Sequence, residues 1–195
     1  MTLTEDLINR INVCKKCPLH KGRIHAVPGE GSYSAEIMFI GEGPGRDEDL
    51  QGKPFVGAAG KLLTELIKSI GLSREDVFIA NVVKCRPPNN RDPLPEEIAA
   101  CWPYLDEQVK IIKPLLVVTL GRHSMGRFLP GLKISEVHGQ PKSAKGAWEE
   151  RQVYLPLYHP AVALYDPRKK VTLFEDFEKI PLILKQIKKE KNVLQ

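Results

Sequence analysis

The chain has 195 residues, 42% of them hydrophobic and 27% charged, with a net charge of +5. That length can bury a sizeable core and points to one domain over residues 1–195. No apolar run approaches the ~18 residues of a membrane span, which argues against a membrane partner, and the mild basic excess admits nucleic acid without requiring it.

In chain order, Leu3–Val13 reads as a short helix feeding a Cys14-x-x-Cys17 pair. No signal peptide is legible before it, so a reducing, cytoplasmic, nucleoid-associated setting is expected, without disulfides. Glu36–Ile40 (EIMFI) is a compact apolar strand ending in Gly41-Glu42-Gly43-Pro44-Gly45. Apolar residues at 62, 63, 66, 67 and 70 give Gly60–Ile70 a helical face, stopped by Gly71. Val77–Val83 holds a second strand, with Asn81 near its end. Pro95 opens a helix at its favoured first-turn position, running through Cys101 to about Ile112. Leu115–Leu120 is a third strand, and GRHSMGRFL after it is helical. Val153–Tyr158 is a weaker fourth strand leading to His159-Pro160-Ala161. Thr172–Lys189 is amphipathic and helical, with Pro181 either kinking or splitting it. Continuous apolar strands alternating with helices imply a parallel sheet covered on both faces. Ligands bind such sheets at the carboxyl ends of the strands, where Glu42, Asn81 and His159 all fall.

Cys14, Cys17, Cys85 and Cys101 are all the cysteines of the chain. Four soft ligands from distant segments point to an inorganic centre, either an iron–sulfur cluster or tetrahedral zinc, and spacing alone does not choose between them. GEGPG has neither dinucleotide-fingerprint nor phosphate-loop spacing, but Gly41, Gly43 and Gly45 would let a planar ligand approach the backbone. Phe55, in a glycine-rich loop, is a core plug or a base-stacking platform. Asn81 offers one acceptor and two donors. His159 is held extended by Pro160, while His20, His25, His123 and His138 read as structural.

Taken in order, CxxC, GEGPGRDED, GKPFVGAAGKLL, NVVKCRPPNNR, a further cysteine and HPA resemble the family 4 uracil-DNA glycosylases, the thermostable iron–sulfur group, from about Cys14 to Ala161. The resemblance implies a three-layer α/β/α sandwich around a four-stranded parallel sheet. It implies a [4Fe–4S] cluster on the four cysteines, and a monofunctional repair enzyme that flips uracil out of DNA, hydrolyses its N-glycosidic bond and leaves an abasic site for base excision repair. By the same resemblance Phe55 stacks on the flipped base, Asn81 reads its O4 and N3–H edge, and His159 donates to O2. Gly41, Glu42 and Gly43 line the pocket, Glu48 walls off C5, and Asn90 belongs to the pocket loop. Gly43 stands where family 1 enzymes carry an aspartate, leaving Glu42, Asp47 and Glu48 as acids; Glu42 is taken to position the attacking water. VALYDPRKK after HPA is the expected minor-groove loop, with Leu164 as wedge and Arg168, Lys169 and Lys170 on phosphate, although Tyr165-Asp166 departs from the family's pattern. The implied partner is single- or double-stranded DNA containing uracil, bound by a monomer, with docking to a replication clamp left open. The rival readings are a non-catalytic iron–sulfur DNA-binding module, which need not keep Phe55, Asn81 and His159, and an electron carrier, which has no use for HPA.

Overall fold

The computed structural model describes residues 3–145 and 151–193. Four strands form the parallel centre: β2 (Ile37–Gly41), β3 (Phe78–Asn81), β4 (Leu116–Leu120) and β6 (Arg151–Leu157), in the order β3-β2-β4-β6. Two short antiparallel strands extend the edges, β1 (Glu30–Gly31) beside β3 and β5 (Lys142–Lys145) beside β6. The expected four-stranded parallel sheet is thus the core of a six-stranded mixed sheet. The edge strands escaped the sequence reading because two to four residues give no usable alternation.

Residues of the central strands alternate between two apolar cores, as a sheet covered on both faces requires. Met38, Ile40, Phe78, Ala80 and Val117 face the core that holds α1 (Leu3–Asn12), α4 (Pro95–Ile112) and α5 (Arg122–Phe128). Ile37, Phe39, Ile79, Leu116 and Val118 face α3 (Ala58–Ser69), α7 (Pro167–Glu178) and α8 (Ile180–Val193). Two short helices, α2 (Arg46–Gln51) and α6 (Ile134–Val137), fill connections to which the sequence reading assigns no element. The segment containing Pro181 is split: α7 ends at Glu178 and the proline sits in the first turn of α8, where its missing N–H costs nothing. No helix among the described residues is long and apolar enough to cross a membrane.

The chain order places the sheet's switch point between β2 and β4, since the chain turns one way to β3 and the other way to β6. A crevice outside the strand ends is the geometric consequence. Its flank rests on α7, which Asp176 fixes in place. That carboxylate is 1% exposed, lies 2.6 Å from His138 Nδ1, and accepts from Lys179 Nζ at 2.7 Å. Breaking a buried pair from one side costs about 3 kcal/mol, so Asp176→Ala should lower the melting temperature by roughly 10 °C in a calorimetric scan.

Candidate active site and cysteine centre

The crevice at the strand ends has a volume of ≈ 920 Å³ and is lined by residues from all four parallel strand ends, among them Glu42, Asn81, Leu120 and His159. That is ample for a nucleotide-sized ligand. Its floor is set by register: Gly41, the last residue of β2, lies opposite Asn81, the last of β3. A Cβ on Gly41 would overlap both Asn81 Oδ1 and the edge of the Phe55 ring. Asn81 is 2% exposed and its Oδ1 has no hydrogen-bond partner, one of two such buried side-chain atoms among the described residues. An orphan acceptor of this kind costs about 1–3 kcal/mol unless a ligand supplies the donor.

Phe55 adopts a left-handed backbone, φ +52°, unusual for a bulky residue. Its ring lies 5.6 Å from the imidazole of His159. The loop carrying it is knotted by Glu48: Oε1 accepts from the Val56 and Gly57 amides at 2.9 and 3.0 Å, and Oε2 from the Gly45 amide at 3.1 Å, closing the N-terminus of α2. Glu48 therefore stands in the crevice wall with both oxygens engaged by backbone.

His159 caps the helical turn Pro160–Leu164, its Nδ1 accepting from the Ala161 amide at 3.1 Å. That bond fixes the tautomer: Nε2 carries the proton and is the free donor. Burial pushes the imidazole down to about 4, with Glu48 opposing, so the ring is neutral at physiological pH. Glu42 is the reverse case. Burial, and then Asp92, push it up to about 7 against Arg127 and Arg122. Its Oε1 is 3.6 Å from His123 Nδ1, whose Nε2 is 3.2 Å from Asp92. Of the four acids in the GEGPGRDED segment, Glu48 is bound to amides, Asp49 is buried and accepts from the Ile24 amide at 2.9 Å, and Asp47 pairs with Arg46 at 3.3 Å, which leaves Glu42 able to engage a ligand or water.

A second site gathers all four cysteines, none in a disulfide, with Arg23, Lys84 and Tyr104 among its walls. The Arg23 guanidinium donates to Cys85 Sγ at 3.1 Å, and the Lys84 and Lys16 amides approach Cys101 and Cys14 Sγ at 3.2 and 3.5 Å. Donors pointed at sulfur suit thiolates. Burial, and then the neighbouring sulfurs, push the Cys17, Cys85 and Cys101 thiols up, Cys101 to about 11, so a bound cation would favour their deprotonated forms. Among the described residues only Glu42, Asp92 and His123 offer three donor atoms within 4.8 Å of one another.

The family model for the uracil DNA glycosylase superfamily matches residues 28–180. A Type-4 uracil-DNA glycosylase of Sulfurisphaera tokodaii is 53% identical over 187 residues, covering 92% of this chain and 84% of that protein. Those of Saccharolobus solfataricus (53%, 90% of this chain and 84% of that protein) and Archaeoglobus fulgidus (49%, 92% of each) are similar to it over the same span. The chain belongs to the type-4 group of the uracil DNA glycosylase superfamily.

Within that family frame the structure brings together Gly41, Glu42, Phe55, Asn81 and His159, as the sequence reading expected. Gly43 faces Val83 and Pro87, where a Cβ would crowd the Val83 methyl at 2.8 Å. Asn90 lines the crevice from the turn Pro88–Asn90, its Oδ1 accepting from Arg86 Nε at 2.7 Å. Leu164 is 46% exposed at the rim, but the adjacent Tyr165, at 89%, projects further. The three basic residues meant for phosphate lie in the first turn of α7 and are partly engaged: Arg168 with Asp166 at 3.1 Å, Lys169 over the Tyr158 ring at 3.9 Å, Lys170 with Glu65 at 3.5 Å. The sequence reading missed His123, taken as structural, and Asp92. His123 lines the crevice, and Asp92 meets it only because α5 and the 88–93 loop converge there; the GRH step after β4 was the available signal.

Proposed function

We propose that this protein excises uracil from DNA: it binds an extruded deoxyuridine in the crevice and hydrolyses the bond between C1′ and N1. The observation that carries this reading is the buried, unpartnered Oδ1 of Asn81 beside the bare Gly41. Uracil offers it N3–H, and the amide NH₂ can donate to O4. Cytosine presents an acceptor at N3 and a donor at C4, so it would leave buried groups mispaired. That kind of mismatch supplies discrimination on the order of 10⁴. Phe55 covers the face of the base, and Glu48 with its loop closes the C5 side.

When the C1′–N1 bond breaks, its electron pair moves onto the base and spreads to O2. The neutral His159 donates Nε2–H there, and a fixed donor at developing charge is worth about 3 kcal/mol. Glu42, ionised, orients a water toward the electron-poor C1′ and accepts the proton the water gives up. Leu164 and Tyr165 on the rim are placed to fill the gap in the stack, and Arg168, Lys169 and Lys170 to meet phosphates beside it. The four cysteines would hold a [4Fe–4S] cluster; their gathering at one site, the N–H donors on their sulfurs and the family of the chain support it. Its part is structural, tying Cys14 and Cys17 after α1 to Cys101 on α4. The enzyme acts as a monomer on single- or double-stranded DNA.

The central test is single-turnover release of free uracil from a uracil-containing oligonucleotide. Wild type should release it, and Asn81→Ala should be slower by about 10²-fold or more. An unchanged rate in Asn81→Ala would remove that side chain from base reading.

Glu42 should give the rate its pH dependence. Its carboxyl is raised to about 7, so the productive carboxylate fills as pH rises. The rate should climb tenfold per unit below pH 7, bend near 7 and level above 8. Glu42→Gln should give a flat, low profile. His159 adds no limb there, since it charges only near 4. A wild-type profile flat from pH 6 to 9 would count against Glu42.

Purified aerobically, the protein should be yellow-brown with about four irons per chain, and Cys85→Ser should lose iron and melting temperature together. A colourless, active protein carrying one zinc ion would defeat the cluster assignment.

A further inference from the structure

Arg74 lies in the turn between α3 and β3, outside every motif singled out in the sequence and outside the crevice wall. Its guanidinium nevertheless reaches the backbone that carries Phe55. Nη2 donates to the Pro54 carbonyl at 2.7 Å and Nη1 to the Phe55 carbonyl at 3.2 Å. The remaining contacts fix the guanidinium itself: Glu30 Oε2 at 2.9 Å from Nη2, and Thr64 Oγ1 at 3.3 Å from Nη1. Glu30 belongs to β1, which gives that two-residue edge strand a purpose.

Phe55 needs such a clamp. A left-handed φ of +52° is unfavourable for a phenylalanine, and the surroundings must over-determine it. On one side the Phe55 carbonyl presses onto Gly60 so closely that a Cβ there would overlap it. On the other side stands Arg74. A planar fork suits two adjacent carbonyls in a way a lysine ammonium does not. The ring is thereby held with its edge against Gly41 and its centroid 5.6 Å from that of His159, in the wall of the crevice.

We propose that Arg74 is a positioning residue for base stacking: by bonding the carbonyls of Pro54 and Phe55 it holds the strained Phe55 backbone, and so presets the ring for the flipped base. The proposal rests on the uracil-excision reading. It is tested by a double-mutant cycle on single-turnover uracil release at saturating enzyme, using wild type, Arg74→Met, Phe55→Ala and the double variant. Wild-type release tests the underlying reading separately. Arg74→Met should slow release roughly 10- to 100-fold, the range that loss of one base–aromatic stack covers. In the Phe55→Ala background the same change should cost less than about threefold, because the ring it positions is gone. Arg74→Lys should recover only part of the rate. Affinity for the oligonucleotide should stay within about twofold throughout, since phosphate contacts lie elsewhere. A purely structural arginine would lower the melting temperature and slow release by the same factor in both backgrounds; that result, or no loss in either, overturns the proposal. Should Arg74→Met fail to fold, Glu30→Gln releases the guanidinium from its far side. It should give a smaller loss that also vanishes with Phe55→Ala, and a loss equal in both backgrounds, or none, overturns the proposal.

Discussion

The pairing of Gly41 with Asn81 across β2 and β3 is the constraint from which the site follows. Side chains alternate strictly along a strand, so a slip of one residue would send the carboxamide into the opposite core. In register, it lies beside the one residue of β2 that has no side chain to fill the space. The bond from the Val82 amide to the Gly41 carbonyl carries the parallel pairing one step past the strand, and that from Val83 to Glu42 another. Glu42 and Asn81 therefore leave the sheet at fixed spacing. The short β strands, the switch point and the paired cores on either face all serve to make that edge rigid.

Two carboxyls six residues apart on the same loop system are put to different uses. Glu48 has three amides on its oxygens and serves the backbone. Glu42 is desolvated with a second carboxylate nearby, which holds its titration near neutrality. The His159 imidazole is buried enough to stay uncharged. A neutral donor suits a leaving base that acquires charge only as the bond breaks, because a standing positive charge would bind ground and transition states more evenly. The orphaned Asn81 acceptor follows the same logic. On the proposed reading, the cost of an unpaired Oδ1 would be offset on binding a base of the right polarity, which would turn a local defect into selectivity.

The sequence made the scaffold legible where periodicity is strong. EIMFI, VFIAN and LLVVTL mark three central strands within a residue or two, and Pro95 marks the start of α4 to the residue. The ends of the apolar strands place Glu42, Asn81 and His159 at one sheet edge, and the family resemblance adds Phe55 beside them. What stayed hidden depends on tertiary proximity rather than local pattern. β1 is too short to announce itself, α2 begins in a glycine-rich segment with weak helix propensity, and Asp92 and His123 come together from elements thirty residues apart. Arg74 is the extreme case: a surface-type residue in an ordinary turn, whose importance lies entirely in which carbonyls it reaches.

The cysteine centre and the base-reading strand are joined by a single residue. Lys84 is fully buried; its amide approaches Cys101 Sγ, while its ammonium donates to the Asn81 carbonyl at 2.8 Å and to Gln108 Oε1 at 2.6 Å. Gln108 in turn donates to the Pro28 carbonyl at 2.7 Å, ahead of β1. Burial pushes the ammonium down to about 8, with Cys101 resisting, so its charge is best kept when the neighbouring sulfur is a thiolate. On this view the cysteines do more than staple α1 to α4. They support, through one buried lysine, the strand end on which the polarity of the crevice depends.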